Sequence, residues 1–273
     1  MKRIVFLVLL LPALITNATV RTVSNDINKP AQFTSVSAAM TASSPGDTIY
    51  IYGSASSYGN ITLNKSITLI GTGYNARKEM FSKSVLGTVS FATGTLTDIE
   101  LNGIASTAVQ LPFTALFTYT NITIRNCLIT NGVGLSGGNG AVCGSAISNW
   151  LVENSYLGNF GFSYNFNCSP PGPVTSGVLI RKSIIASLAS RTQNTVFSNC
   201  ELGVNGTSCL FGGNVNDVFD NCIFLGAYFE QSTNNTGNVF HNCLTYQTAF
   251  PSLTFGLNSW SGGASGTATN CII

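Results

Sequence analysis

The chain has 273 residues, of which 8% are charged, for a formal net charge of +2, while 44% are apolar and 28 are glycine. So small and unclustered a charge excludes a basic footprint for nucleic acid, and the spaced Val/Ile/Phe runs exclude a chain kept disordered by polarity. Frequent Gly, Ser, Thr and Asn predict many turns and a surface that is polar without being ionic.

Lys2 and Arg3 precede an apolar run over residues 4–15, closed by Thr16, Asn17 and Ala18. A basic start, a short apolar centre and a small-residue end predict a signal peptide over residues 1–18. The run is short for a membrane span, and no later stretch reaches its length without polar residues. The expectation is an exported chain, periplasmic, cell-surface or extracellular, that is not an integral membrane protein. One elongated domain is expected over residues 19–273.

Residues 19–24 read as a short strand. Residues 30–42 predict a helix with Phe33, Val36 and Met40 on one face and Pro30 in its first turn. Ser44-Pro45-Gly46-Asp47 is a turn signal. A strand over residues 48–52, a loop over 53–59, and strands near 61–63 and 67–70 follow.

This stretch, a helix followed by SPGDTIYIYG and then YGNITLNKSITLIGTG (58–73), resembles the opening region of right-handed parallel β-helix proteins, the pectate-lyase-like superfamily. In that group a short amphipathic helix caps the open end, and a Pro-Gly-Asp-Thr-Ile type segment starts the first coil. The resemblance implies an all-β chain, a single-stranded right-handed parallel β-helix with an N-terminal capping helix. It implies no single function, because lyases, hydrolases, epimerases, adhesins and phage tailspikes share the fold.

The second half repeats one phrase: an apolar run, then Asn, then Cys or Ser. It appears as ITIRNCLI, LVENSYL, VLIRKSII, TVFSNCEL, DVFDNCIF, NVFHNCLT and TATNCII, at intervals of 28, 28, 17, 22, 21 and 28 residues. Such intervals fit turns of a solenoid with loops of differing length spliced in. Two places before the Asn, Ile124, Val152, Ile180, Phe197, Phe219, Phe240 and Ala268 are expected to face inward. The Asn column, Asn126, Asn154, Asn199, Asn221, Asn242 and Asn270, interrupted by Lys182, is expected at turns with its amides bonded along the stack. It reads as structural, since catalysis does not need one residue in every turn.

Eight cysteines are present. Cys127, Cys200, Cys222, Cys243 and Cys271 share the place after the repeat Asn with Ser155 and Ser183, which predicts a column of small packed side chains. Cys143, Cys168 and Cys209 lie off it, and Cys143 with Cys168 is the favoured disulfide, given export. Metal binding has little support, since there is no CxxC and the one histidine, His241, has no second ligand beside it.

Immediately before the Asn stand Arg125, Glu153, Arg181, Ser198, Asp220, His241 and Thr269. Strand alternation turns this column outward. A mixed-charge outer face is ordinarily solvated, but stacked at about 4.8 Å it presents a regular ladder to a polymer. Loops over residues 132–148 and 158–176 are expected to wall a groove, where Phe160, Phe162, Tyr164 and Phe166 either stack on sugar faces or pack onto the outer sheet.

The lyases of the resembled superfamily imply an acidic calcium site and a base. The acids dense enough for one are Glu201, Asp217, Asp220 and Glu230, and Arg181 with Glu153 and Asp220 is the thin catalytic set. The hydrolases imply paired aspartates with His-Gly and Arg-Ile-Lys elements. Here stand Asn216-Asp217-Val218, His241-Asn242 and Arg181-Lys182, which depart from that pattern.

The expectation is therefore a bacterial, exported, non-catalytic protein that binds a polysaccharide or cell-surface glycan, or serves adhesion. Its expected binding residues are Arg125, Glu153, Arg181, Asp220, His241 and Tyr164. The alternative is a polysaccharide lyase or related carbohydrate-active enzyme. No cofactor is expected outside the lyase alternative, which would use calcium. The last phrase, TNCII, carries no polar cap, so a loop, a partner, a continuation or a second copy is expected to shield the final coil.

Overall fold

The computed structural model describes residues 18–74, 82–112, 115–135, 143–162, 173–188, 192–203, 215–225, 237–246 and 266–271. The expected signal peptide lies outside these apart from Ala18, and no helix among the described residues is long and apolar enough to cross a membrane.

Each coil is built from a short strand, a left-handed corner and a second short strand. In one such coil, Val178–Arg181 alternates buried and half-buried side chains, Lys182 turns the corner, and Ile184–Ile185 continues on the next wall. Repeating this makes two sheets of 13 and 11 strands among the described residues, every pair parallel with its equivalent in the coils above and below. The chain is a parallel β-solenoid. A lone coil could not bury its apolar side; stacked coils share one core.

That core follows the expected column. Ile124, Val152, Ile180, Phe197 and Phe219 are fully buried. Phe197 and Phe219 stack with ring centroids 4.8 Å apart, and Phe219 and Phe240 at 4.9 Å, so the coil repeat sets the aromatic spacing. Phe160 and Phe162 are buried in the same core and touch edge to face at 5.1 Å, which removes both from any sugar platform. Tyr164 and Phe166 lie outside the described residues.

The N-terminal end is closed by a helix, Val36–Ala42, that starts later than its sequence pattern predicts. Phe33 is drawn into an extended bridge with Val23, taking the backbone N–H of Ser24 and giving its own to Thr22. Helix can begin only after that bridge, and Ser35 caps it, its hydroxyl accepting from Ala38 N at 3.2 Å. Val36, Ala39 and Met40 face the core, while Lys65 Nζ donates to the carbonyls of Met40 and Ser43 at the helix end. The turn before the next strand explains its Pro-Gly-Asp motif. Asp47 accepts from Ser44 N at 2.9 Å, closing the turn, and from Thr19 N at 2.8 Å, tying down the first strand.

Candidate functional site

From the coil of Asp98 to that of Asn242, the chain crosses the first sheet between two left-handed corners. The later corner is the expected column: Asn126, Asn154, Asn199, Asn221, Asn242 and Asn270 have φ between 49° and 56°, and Lys182 has φ of 50°. Their amides bond along the stack, with Asn154 Nδ2 donating to Asn126 Oδ1 at 2.7 Å, Asn221 to Asn199 at 2.6 Å and Asn270 to Asn242 at 3.1 Å. The earlier corner is a second column that the repeat phrase did not reveal: Asp98, Asn121, Asn149, Gly177, Asn194, Asn216 and Gly237, all at positive φ. Asn121 Nδ2 donates to Asp98 Oδ1 at 2.9 Å and Asn149 Nδ2 to Asn121 Oδ1 at 3.3 Å.

Four residues lie between the corners, two facing in and two facing out. Of the outward pair, the one next to the later corner is the expected ladder. Register places Arg125, Glu153, Arg181, Ser198, Asp220 and His241 in successive coils of one column. Arg181 Nε lies 2.9 Å from Glu153 Oε1, and Arg125 Nε lies 3.2 Å from Glu100 Oε1. Neither N–H points along the line to the oxygen, so both contacts are Coulombic.

The second outward column was not singled out in the sequence. From its early end it runs Thr48, Thr68, Glu100 and Thr123, then changes to Leu151, Leu179, Val196, Val218 and Val239. The signal was present, as the third residue before each repeat Asn, but aliphatic residues there read as ordinary strand formers. The outer face thus has two halves. The early half is mainly polar: Asn102 Nδ2 donates to Glu100 Oε1 at 3.1 Å, Arg125 pairs with the same carboxylate, and Tyr50 stands in the charged column two coils earlier than Asn102, with Ile70 between them. The late half is an aliphatic stripe beside a charged one.

The acids weighed for calcium do not converge. Asp217 is fully buried, its Oδ1 accepting from Thr195 N at 2.9 Å and its Oδ2 from Thr192 Oγ1. Asp220 faces outward, Glu201 is exposed on the second sheet, and Glu230 lies outside the described residues. Among the described residues no three His, Cys, Asp or Glu side chains gather as a metal ion requires. Arg181 is set against Glu153 and away from Asp217 and Glu201. A groove of about 290 Å³ between the cap helix and Ile61–Leu63 contains one charged group, Lys65, whose ammonium is already spent on the helix end.

Cys143 is disulfide-bonded, and Cys168, the partner expected for it, lies outside the described residues. Cys127, Cys200, Cys222 and Cys243 are free and buried behind the Asn corner, each thiol donating to the carbonyl two residues earlier. Burial pushes the Cys127 thiol up to about 12.

Compared with protein-family models, curated proteins and solved structures, the chain gives no match.

Proposed function

We propose that this is an exported, non-catalytic β-solenoid that binds a polysaccharide or cell-surface glycan along the outer face of its first sheet, in an adhesive role. The observation that carries the reading is the connected polar network of Glu100, Asn102 and Arg125, with Tyr50 in the same face. A sugar polymer offers hydroxyls to amide and guanidinium groups and an apolar ring face to an aromatic. Coils stacked about 4.8 Å apart present such groups repeatedly along one line. Export rests on the basic, apolar and small-residue pattern of residues 1–18. The lyase alternative draws no support from the arrangement of Arg181, Glu153 and Asp220: Arg181 already lies against Glu153, Asp220 stands two coils away in the same column, and no cluster of acids fit for calcium gathers around them among the described residues.

The test is binding of the mature chain to a panel of acidic and neutral polysaccharides, with ultraviolet absorbance of unsaturated products followed on the same samples. The expected result is binding without turnover, insensitive to a calcium chelator, and weakened about tenfold or more by Arg125→Ala or Tyr50→Ala. Turnover abolished by Arg181→Ala would replace this reading with the lyase, and no binding to any member of the panel would end it.

A further inference from the structure

The late half of the outer face has a symmetry of its own. Its aliphatic column has Val196 at the centre, with Leu179 and Val218 one coil away on either side and Leu151 and Val239 two coils away. Thr123 and Thr267 close the stripe at both ends. The charged column beside it has Ser198 at its centre. One coil to either side stand Arg181 and Asp220, opposite in sign; two coils away stand Glu153 and His241, an acid and a base.

We infer that this half-face is the contact between two copies of the chain, related by a two-fold axis that runs along the strands at the level of Val196 and Ser198. An axis in that direction reverses the stack while keeping each column opposite itself. Aliphatic column then meets aliphatic column, Leu179 against Val218 and Leu151 against Val239. Arg181 of one copy faces Asp220 of the other, and Glu153 faces His241, twice each by symmetry. No ion pair within the chain holds Asp220 or His241 among the described residues, so both are free to take these partners. The other in-plane axis, along the stack, would lay the charged column over the aliphatic one and bury Arg181 against Leu179. Charge complementarity therefore selects one arrangement.

The second sheet has no equivalent. Its outward column includes Ile223 and Leu244, 37% and 39% exposed, but Glu201 interrupts it and no ladder of alternating sign lies beside it. Seven coils at about 4.8 Å and a strand about 17 Å wide give the two-fold face roughly 500 Å² per copy. That is the lower end of specific interfaces, the size class of reversible contacts. The inference does not depend on glycan binding. The contact ends at the Thr123 coil, where Arg125 faces Thr269 of the other copy, and leaves the coils of Tyr50, Glu100 and Asn102 uncovered at both far ends of the pair.

The experiment is sedimentation velocity of the mature chain from about 1 to 200 μM, with circular dichroism melts confirming that each variant folds. Concentration-dependent dimerisation is expected, abolished by Val196→Glu, which would bring two carboxylates together at the axis. Arg181→Asp and Asp220→Arg should each weaken it by more than about tenfold, and the double variant should restore it. A monomer at every concentration, a dimer indifferent to Val196→Glu, or failure of the double charge exchange to rescue would each overturn the inference. Glycan binding would be untouched by Val196→Glu, so the two readings fail separately.

Discussion

An asparagine at a solenoid corner has two tasks. It must accept a left-handed backbone, which costs most L-residues roughly 1–2 kcal/mol but which asparagine tolerates, and its amide must bond to the coil next to it. Asn221 does both, with φ of 53° and a 2.6 Å bond to Asn199. Separating the tasks gives an ordering that strand propensity would invert. Asn221→Gly keeps the backbone and loses the bond, at about 1 kcal/mol. Asn221→Ala loses both, at about 2 kcal/mol. Urea unfolding of the pair checks this, and alanine equal to or better than glycine would contradict it. Lys182 occupies the same corner at φ of 50° without an amide to offer. Lys182→Asn is expected to raise stability by about 1 kcal/mol, read as a thermal midpoint about 2–4 °C higher. At the earlier corner a Cβ on Gly177 would stand 2.8 Å from Asn149 Oδ1, and one on Gly237 2.2 Å from Asn216 Oδ1, so a side chain there would have to displace the neighbouring amide.

At the scale of elements, the first strand and the cap are joined through one carboxylate. Asp47 holds Thr19 N and Ser44 N and lies 3.4 Å from the Arg21 guanidinium; the two backbone N–H groups, then the guanidinium, hold its carboxyl below the usual aspartate value. A carboxyl depressed in the folded state contributes stability that is complete above its unfolded value of about 3.9 and is lost as pH falls through the lower folded one. The chain should therefore lose thermal stability below about pH 4. Asp47→Asn should be less stable at pH 7 and show a flatter acid limb, and parallel pH profiles for the two proteins would refute the assignment. The Pro-Gly-Asp turn was legible in the sequence because a turn of that kind needs those residues locally. The start of the helix was not, because Phe33 is claimed by a strand partner ten residues earlier, a demand that helix propensity cannot register.

For the whole molecule, what could be read from the sequence was whatever every coil solves with the same residue. The later corner and the buried Cys/Ser column recur almost unchanged, so the solenoid and its inward phenylalanines were recoverable. The earlier corner is solved by Asp, Asn or Gly, and the shared property is a backbone angle, not a side chain. The outer face is harder still, since its division into a polar and an aliphatic half exists only once register aligns residues 17 to 32 positions apart. The buried thiol column offers a probe of how such a stack opens. Cys127, Cys200 and Cys222 are 1% exposed and Cys243 is 4%, whereas Cys271 is half-buried. The bond to the Cys222 thiol holds Cys243 below its usual range, which adds thiolate at the thiol next most exposed after Cys271. Coils in a solenoid contact only their neighbours, so opening spreads along the stack instead of occurring at once. Native-state alkylation, resolved by peptide mass, should modify Cys271 first, then Cys243, with Cys222, Cys200 and Cys127 following in that order. Equal rates at all five positions would mean that the stack opens only as one cooperative unit.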